Sequence, residues 1–450
     1  RLDGDDLLQV VLPELSAPIT IQDLPQVAAD QRFQRAVDEA AIDLARPFDL
    51  ETAPLFRARL FRVSDQDHVL AFCFHHAIFD GWSEGVFLDE LAAIYGSNAS
   101  DEIDGVLAPL PIQYRDFAIW QRQSAAGPAF EASLELWRER LTGAPASLNI
   151  PQDYPRPAEP TYRGEQEQLH LPKPLIDALG SVGRRHGATL FMTLLAAYSV
   201  VLHRYSDDPE VMIGTVLAGR TRVELERLIG FFVNTVALRV HLGGEPTFLQ
   251  LLDQIKHASL EAHAHQDVPF ERVVESLHSQ RTSGRMPLFQ TMFVLQNGNR
   301  RRSFGDLEME PLEIHGGTSK CDLVLSVAEP KDRADGLCCS LEYDADLFTH
   351  ETAARLLESY RCILHAVGVD PDQPVTTLPI VGPPDQTRVD SWSDTPAEYP
   401  RDSTIHREFE AIAACTPGAV AVTCAAHSLT YAELDARANR LAARLRREGV

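Results

Sequence analysis

Six consecutive apolar residues, Val69 to Phe74 (VLAFCF), run directly into His75–Ser83 (HHAIFDGWS), and this junction constrains the fold more than any other feature of the chain. A β-branched and aromatic run this short predicts a buried strand, and the Asp-Gly pair behind it predicts a turn. From Glu84 a helix is expected, because Phe87, Leu91 and Ile94 recur at helical spacing until Gly96 and Ser97 stop the pattern. Strand, loop and helix in this order leave a polar loop at the end of a sheet.

Elsewhere helices are predicted over Asp116–Gln123, Phe130–Leu141, Thr189–His203 and Phe248–His263, and strands over Val211–Val216, Val233–Val240, Phe289–Leu295 and Leu323–Val327. The irregular alternation predicts an α/β chain with mixed (α+β) sheets covered by helices. Four prolines in the ten residues Pro151–Pro160 predict a linker between two lobes, 1–155 and 156–385. A polar stretch punctuated by Pro384, Pro396 and Pro400 predicts a second linker, 386–402. A new domain, 403–450, then opens with an amphipathic helix and a strand-like run at Ala419–Cys424 (AVAVTC). Its roughly 50 residues are too few for most self-sufficient cores.

With 65 acidic against 41 basic residues, a formal net charge of −24 argues against a basic nucleic-acid surface and against docking on anionic lipid. No apolar run approaches the roughly 20 residues that span a bilayer, and the acidic opening RLDGDDLLQVV is unlike a signal peptide, so a cytoplasmic protein is expected. The seven cysteines show no CxxC spacing and sit mostly in apolar stretches, as buried reduced thiols do.

His75, His76, Asp80 and Gly81 form an HHxxxDG arrangement, with Trp82 beside it. Adjacent strand residues point to opposite faces, so one histidine can enter a cleft while the other packs behind it, and the pair makes a poor joint metal site. No metal site is expected. A neutral imidazole accepts a proton or hydrogen bond from an attacking amine or alcohol near neutral pH, and His76 is the candidate. Asp80 is expected to organise the loop through an Arg or backbone donors, and Gly81 to allow a backbone conformation that a side chain would resist. An HH pair alone is commonly two packed histidines; the Asp, the Gly and the strand context shift the reading.

A rival signal overlaps it. Gly81–Gly85 (GWSEG) satisfies GxSxG between a strand and a helix, which would make Ser83 a nucleophile, although no HGGG-type oxyanion segment precedes it. His263, His265 and Asp267 adjoin Pro269 at a predicted helix end and suit a capping or surface role. There is no GxxxxGK[ST] and no strand-linked GxGxxG, so nucleotide binding has no motif here.

HHAIFDGWS is similar to the core motif of the condensation domains of nonribosomal peptide synthetases. Tyr114–Gln121 (YRDFAIWQ), Ile213–Arg220 (IGTVLAGR), Leu228–Arg239 (LIGFFVNTVALR), Ala264–Glu275 (AHQDVPFERVVE) and Arg285–Asn297 (RMPLFQTMFVLQN) resemble the family's other motifs in the right order. Ser428–Arg446 (SLTYAELDARANRLAARLR) resembles the first motif of adenylation domains. Family members open with a further segment containing an RHE-LRT-like stretch that nothing here matches. An N-terminally truncated condensation domain is therefore expected, followed by the start of an adenylation domain whose ATP motifs lie further on.

The resemblance implies two lobes similar to chloramphenicol acetyltransferase, set in a V with a tunnel between them. It implies amide formation between a donor acyl thioester and an acceptor aminoacyl thioester. Upstream and downstream carrier proteins would supply both on phosphopantetheine arms, with no cofactor bound by the chain itself and His76 where the arms meet. An Arg from the unmatched segment could pair with Asp80; Arg220 and Arg285 are the partners this chain offers, and the choice stays open. Two alternatives remain: a catalytically silent relative that recruits a tailoring enzyme, and the hydrolase built on Ser83.

Overall fold

The computed structural model describes residues 2–3, 6–16, 19–97, 105–145, 147–277, 286–296, 304–312, 314–328, 336–394, 398, 401–425 and 427–449. The chain divides into two compact units, Arg1–Gly382 and Pro383–Val450.

The first unit opens with two short strands, β1 (Leu2–Asp3) and β2 (Asp6–Leu7), paired antiparallel. β3 (Thr20–Asp23), helix α1 (Arg32–Ala45), β4 (Phe56–Arg62) and β5 (His68–Phe74) follow. β3, β4 and β5 make a three-stranded sheet in that order, β3 parallel and β5 antiparallel to β4. Alternation along β4 and β5 sends Phe61 and Val69 to one face, where they meet Leu24 and, from α1, Ala36 and Ala40. The opposite face carries Phe56, Phe72 and Phe74, which pack with Phe79 and Phe87; the Phe74 and Phe79 rings stack at 4.0 Å. Helices α2 (Gly81–Gly96), α3 (Tyr114–Ser124) and α4 (Pro128–Leu141) complete this half of the sequence.

The second half supplies β6 (Gly164–Leu171), α5 (Lys173–Arg185), α6 (Leu190–Ser206), β7 (Glu210–Leu217), β8 (Asn234–His241), α7 (Phe248–Ala264), α8 (Phe270–Ser276), β9 (Thr291–Gln296), β10 (Leu323–Ala328), β11 (Leu337–Asp344) and α9 (His350–Val369). Its strands form one mixed six-stranded sheet, β6-β11-β10-β9-β7-β8, in which β9 runs parallel to both β7 and β10 and the other pairs are antiparallel. Such order is reachable only through crossovers; helices α5 and α6 lie between β6 and β7, and α7 and α8 between β8 and β9. α6 (LFMTLLAAYSVVLHRYS) is apolar around nearly its whole circumference, and Met192 to Leu202 are all buried. Among the described residues no single helix is long and apolar enough to cross a membrane; α5 with α6 passes only as a pair bent by 103°.

The proline-rich stretch read as a linker is fastened to the large sheet instead. Asp153 donates its N–H to Leu347 O at 2.9 Å, and its carboxylate accepts from Thr349 N (2.8 Å) and Thr352 Oγ1 (3.0 Å), bracing the Thr349 N-cap of α9. Arg156 forms an ion pair with Asp322. Helix α4 also belongs with the large sheet: Phe130, Leu134, Trp137 and Leu141 are buried in the large core. Proline density marks an extended path held against the large sheet.

The second unit contains α10 (Pro383–Ser393), α11 (Ile405–Cys415), the antiparallel pair β12 (Val420–Cys424) and β13 (His427–Thr430), and α12 (Tyr431–Arg447). The stretch expected to begin a linker at 386 is thus helical as far as Ser393. Pro383 stands at the helix start, where a missing N–H costs nothing. Pro396 and Pro400 lie outside the described residues. Thr430 and Glu433 form a capping box at the start of α12. Cys73, Cys321 and Cys339 are buried, whereas Cys415 and Cys424 of this second unit are exposed.

Candidate active site

The strand β5 ends at Phe74, and His75 begins a different geometry. Its N–H still bonds Leu55 O (2.9 Å), but its Nδ1 accepts from Ala77 N at 3.1 Å, turning the chain into a single 3-10 turn over His76–Ile78. The two imidazoles diverge because of this turn, not because of strand alternation. His75 lies against Phe48, ring centroids 5.9 Å apart, while His76 is exposed with its ring perpendicular to Phe231 at 5.0 Å.

His76 Nδ1 lies 2.7 Å from Phe79 O. A carbonyl oxygen can only accept, so Nδ1 carries a proton, and the tautomer this selects for a neutral ring has its lone pair at Nε2. Among the described residues nothing hydrogen-bonds Nε2. The ring therefore offers a proton acceptor toward solvent in a fixed tautomer.

Asp80 is 3% exposed and is the N-cap of α2. Its Oδ1 accepts from Ser83 N (2.8 Å) and Arg220 Nη2 (3.1 Å), and its Oδ2 from Phe232 N (3.0 Å). Burial pushes this carboxyl up, but the donors from Phe232 and Ser83 and the Arg220 charge outweigh it and hold it below the usual carboxylate range. A carboxylate so committed organises the loop and is a poor base. Of the two arginines offered as partners, Arg220 makes the pair; Arg285 lies outside the described residues.

Arg220 also donates to Leu225 O and Leu228 O, at 2.5 and 2.7 Å, and lies over the Phe232 ring at 4.1 Å. It thus holds the loop between β7 and β8 in shape while reaching across to α2. Gly219 beside it requires its glycine: φ is +65° and a Cβ would lie 2.0 Å from Phe232 O.

Gly81 does not have the role expected of it. Its φ is not in the left-handed region, and a Cβ would meet nothing within 4 Å. It is the first residue of α2, which begins there rather than at Glu84 because Asp80 caps it. Gly81 leaves open space instead of permitting a strained backbone. Trp82, 42% exposed, donates its indole N–H to Glu226 O at 2.9 Å.

Ser83 is fully buried. Its hydroxyl donates to Gly230 O (2.9 Å) and accepts from Gly230 N (3.0 Å) and Arg220 Nη2 (2.9 Å). With no approach for a substrate and every valence used, it is a structural stitch, and the nucleophile reading fails on geometry. His265 is likewise committed: its Nδ1 meets Ser133 Oγ at 2.9 Å and its carbonyl accepts from Trp137 Nε1.

Three residues join the site to which sequence reasoning had assigned no role. Tyr114 donates to Phe231 O at 2.8 Å, Gly230 exchanges two bonds with Ser83, and Phe231 touches His76. Burial raises the Tyr114 phenol above its ordinary range, which suits a donor rather than an acid. All three fall within the quoted motifs YRDFAIWQ and LIGFFVNTVALR, but nothing in either motif shows that the two segments meet.

A family model described as the condensation domain matches residues 1–388. One of the linear gramicidin synthase subunits of Brevibacillus parabrevis is 40% identical over 452 residues, covering 100% of this chain and 6% of that protein. The chain therefore spans a small part of that relative's length. The X-domain in its complex with OxyB from teicoplanin biosynthesis superimposes with a TM-score of 0.70 at 28% identity, over 81% of this chain and 80% of that one. A four-domain nonribosomal peptide synthetase bound to AMP and glycine gives a TM-score of 0.73 at 23% identity, over 97% of this chain and 33% of that one, a likeness of fold alone. With the family model covering most of its length, the chain belongs to the condensation domain family.

Proposed function

We propose that the chain forms an amide bond between two thioesters presented on the phosphopantetheine arms of an upstream donor and a downstream acceptor carrier protein. The observation that carries this reading is the tautomer of His76, with Nδ1–H committed to Phe79 O and Nε2 left open. The acceptor amine attacks the donor carbonyl, the N–C bond forms and the C–S bond breaks. The proton shed by the amine passes to Nε2 and then to the departing thiolate. Positioning a neutral amine against a thioester supplies much of the rate, and a placed base adds about 10²–10⁴-fold. The first N–H groups of α2, at Gly81 and Trp82, point from a helix N-terminus and suit the developing oxyanion.

Under this reading the two sheets are the two chloramphenicol-acetyltransferase-like lobes, and Ser428–Arg446 begins an adjoining adenylation domain. The silent recruiter is the second reading, favoured by the likeness to an X-domain crystallised with OxyB. The intact His76 and Asp80 geometry weighs against it.

The test is amide formation between two loaded carriers by the full-length synthetase, read by intact-mass spectrometry. His76→Ala is expected to lower the rate at least about 100-fold. Ser83→Ala should still form product, and a serine-directed fluorophosphonate should leave the protein unlabelled. No product from the wild type with several carrier pairs would turn the reading to the recruiter.

A further inference from the structure

Phe231 is an apolar residue left 39% exposed, yet its backbone and those of both its neighbours are bonded to side chains. Gly230 N–H donates to Ser83 Oγ, Ser83 O–H donates back to Gly230 O, Tyr114 O–H donates to Phe231 O, and Phe232 N–H donates to Asp80 Oδ2. Three consecutive residues are thus pinned by side chains of α2, its cap and α3. The Tyr114 ring closes over Gly230, where any Cβ would sit 2.3 Å from its Cδ2. Packing of Phe117, Leu225, Leu228 and Phe232 beneath this segment is already complete without the Phe231 ring. That ring is directed at His76 instead, perpendicular to it at 5.0 Å.

Among the described residues the imidazole is otherwise held by one hydrogen bond, Nδ1–H to Phe79 O, which fixes the tautomer and leaves the ring a rocking freedom about that bond. A rigid aromatic wall on one side removes it. We propose that Phe231, with its backbone fixed by Tyr114, is a positioning residue that holds the His76 ring so that Nε2 faces the reacting amine. The inference rests on the amide-forming reading of His76. It adds that the aim of the base is set by the β7–β8 loop rather than by its own loop alone. Small displacements of a catalytic group cost up to about 100-fold in rate.

The experiment uses the full-length synthetase with two readouts. In amide formation between loaded carriers, Phe231→Ala is expected to lower kcat about 10- to 100-fold while the KM for the acceptor carrier stays within about twofold. Phe231→Tyr, which keeps the ring, should restore most of the rate. Tyr114→Phe, which keeps the packing on Gly230 and removes only the hydroxyl, should lower kcat about 3- to 10-fold. The second readout needs no substrate. In protein labelled with ring-15N histidine, the His76 signals, assigned by their loss in His76→Ala, should show the Nδ1–H tautomer held by Phe79 O in both proteins, with a 15N relaxation pattern that is rigid in the wild type and motionally averaged in Phe231→Ala. Wild-type kcat with an unchanged 15N pattern in Phe231→Ala would overturn the proposal. If the wild type itself forms no amide, the amide-forming reading fails and the 15N arm still decides. An averaged pattern supports the positioning role and an unchanged one ends it.

Discussion

Phe293 on β9 and Phe61 on β4 are both fully buried, yet they sit in cores of very different depth. Phe293 lies in a continuous cluster that takes in residues of all six strands of the large sheet and of helices α4 to α9. Phe61 shares its cluster, among the described residues, with four other buried side chains, Leu24, Ala36, Ala40 and Val69, and the partly buried Val27, Val63, Ala71 and Ile314 packed against them. At about 1.5–3 kcal/mol for each large apolar side chain buried, the first cluster can hold itself together and the second is marginal. The His76 loop nevertheless springs from the marginal sheet. What compensates is the polar clasp in which Asp80, Ser83, Trp82 and Tyr114 on one side grip Arg220 and residues 226–232 on the other. Packing stabilises one half, and directional bonds to that half hold the chemistry in the other.

Removing the centre of the clasp should break this arrangement most severely. Arg220→Met leaves Asp80 buried without its cation and frees Leu225 O and Leu228 O, a loss of about 3–5 kcal/mol. If the comparison of cores is right, the loss is uneven. Amide exchange should accelerate in β5 and α2 while β7 and β10 keep their protection, measured residue by residue by hydrogen exchange. Equal loss in both sheets would mean that the two cores unfold as one block.

Acid should probe the same joint more gently. The folded pKa of Asp80 is depressed below an unfolded value of about 3.9, so its contribution to stability is fully present above that value. It is lost as pH falls through the folded pKa. Protection of α2 is therefore expected to drop below about pH 4 ahead of the large sheet. Asp80→Asn, which can still cap the helix, should flatten that dependence. An unaltered acid profile in Asp80→Asn would place the sensitive group elsewhere.

Much of this was legible in the chain and some was not, for reasons that individual residues show. β5 and α6 were visible because a half-buried strand and a fully buried helix leave strong apolar signatures. β6 was not, because GEQEQLHL sits at a sheet edge and alternates among polar residues. The divergence of His75 and His76 was anticipated, but the cause assigned to it was wrong, since a 3-10 turn intervenes where a strand was assumed. The motif IGTVLAGR already contained Arg220. Choosing it over Arg285 needed the pairing of segments 140 residues apart, which no local pattern encodes. Ser83 looked like a nucleophile because GxSxG records spacing and not exposure.

Gly81 gives the smallest expected change in stability and the sharpest separation of the loop's sealed side from its open one. The Asp80–Ser83 side is saturated with partners, while above Gly81 a methyl group would touch nothing. Gly81→Ala at an ordinary helical position should therefore raise stability slightly, by about 0.4–1 kcal/mol, through a less flexible unfolded chain. If the space over Gly81 is where the thioester carbonyl settles against the first N–H groups of α2, the same methyl should lower the rate of amide formation, and Gly81→Val should lower it further. Both quantities come from one set of variants, a thermal midpoint and a product-formation rate. A stabilised Gly81→Ala that keeps the wild-type rate would show the open side to be merely solvent. A stabilised variant with an impaired rate would make the bare Cα part of the substrate site, kept free of a side chain at a cost in stability.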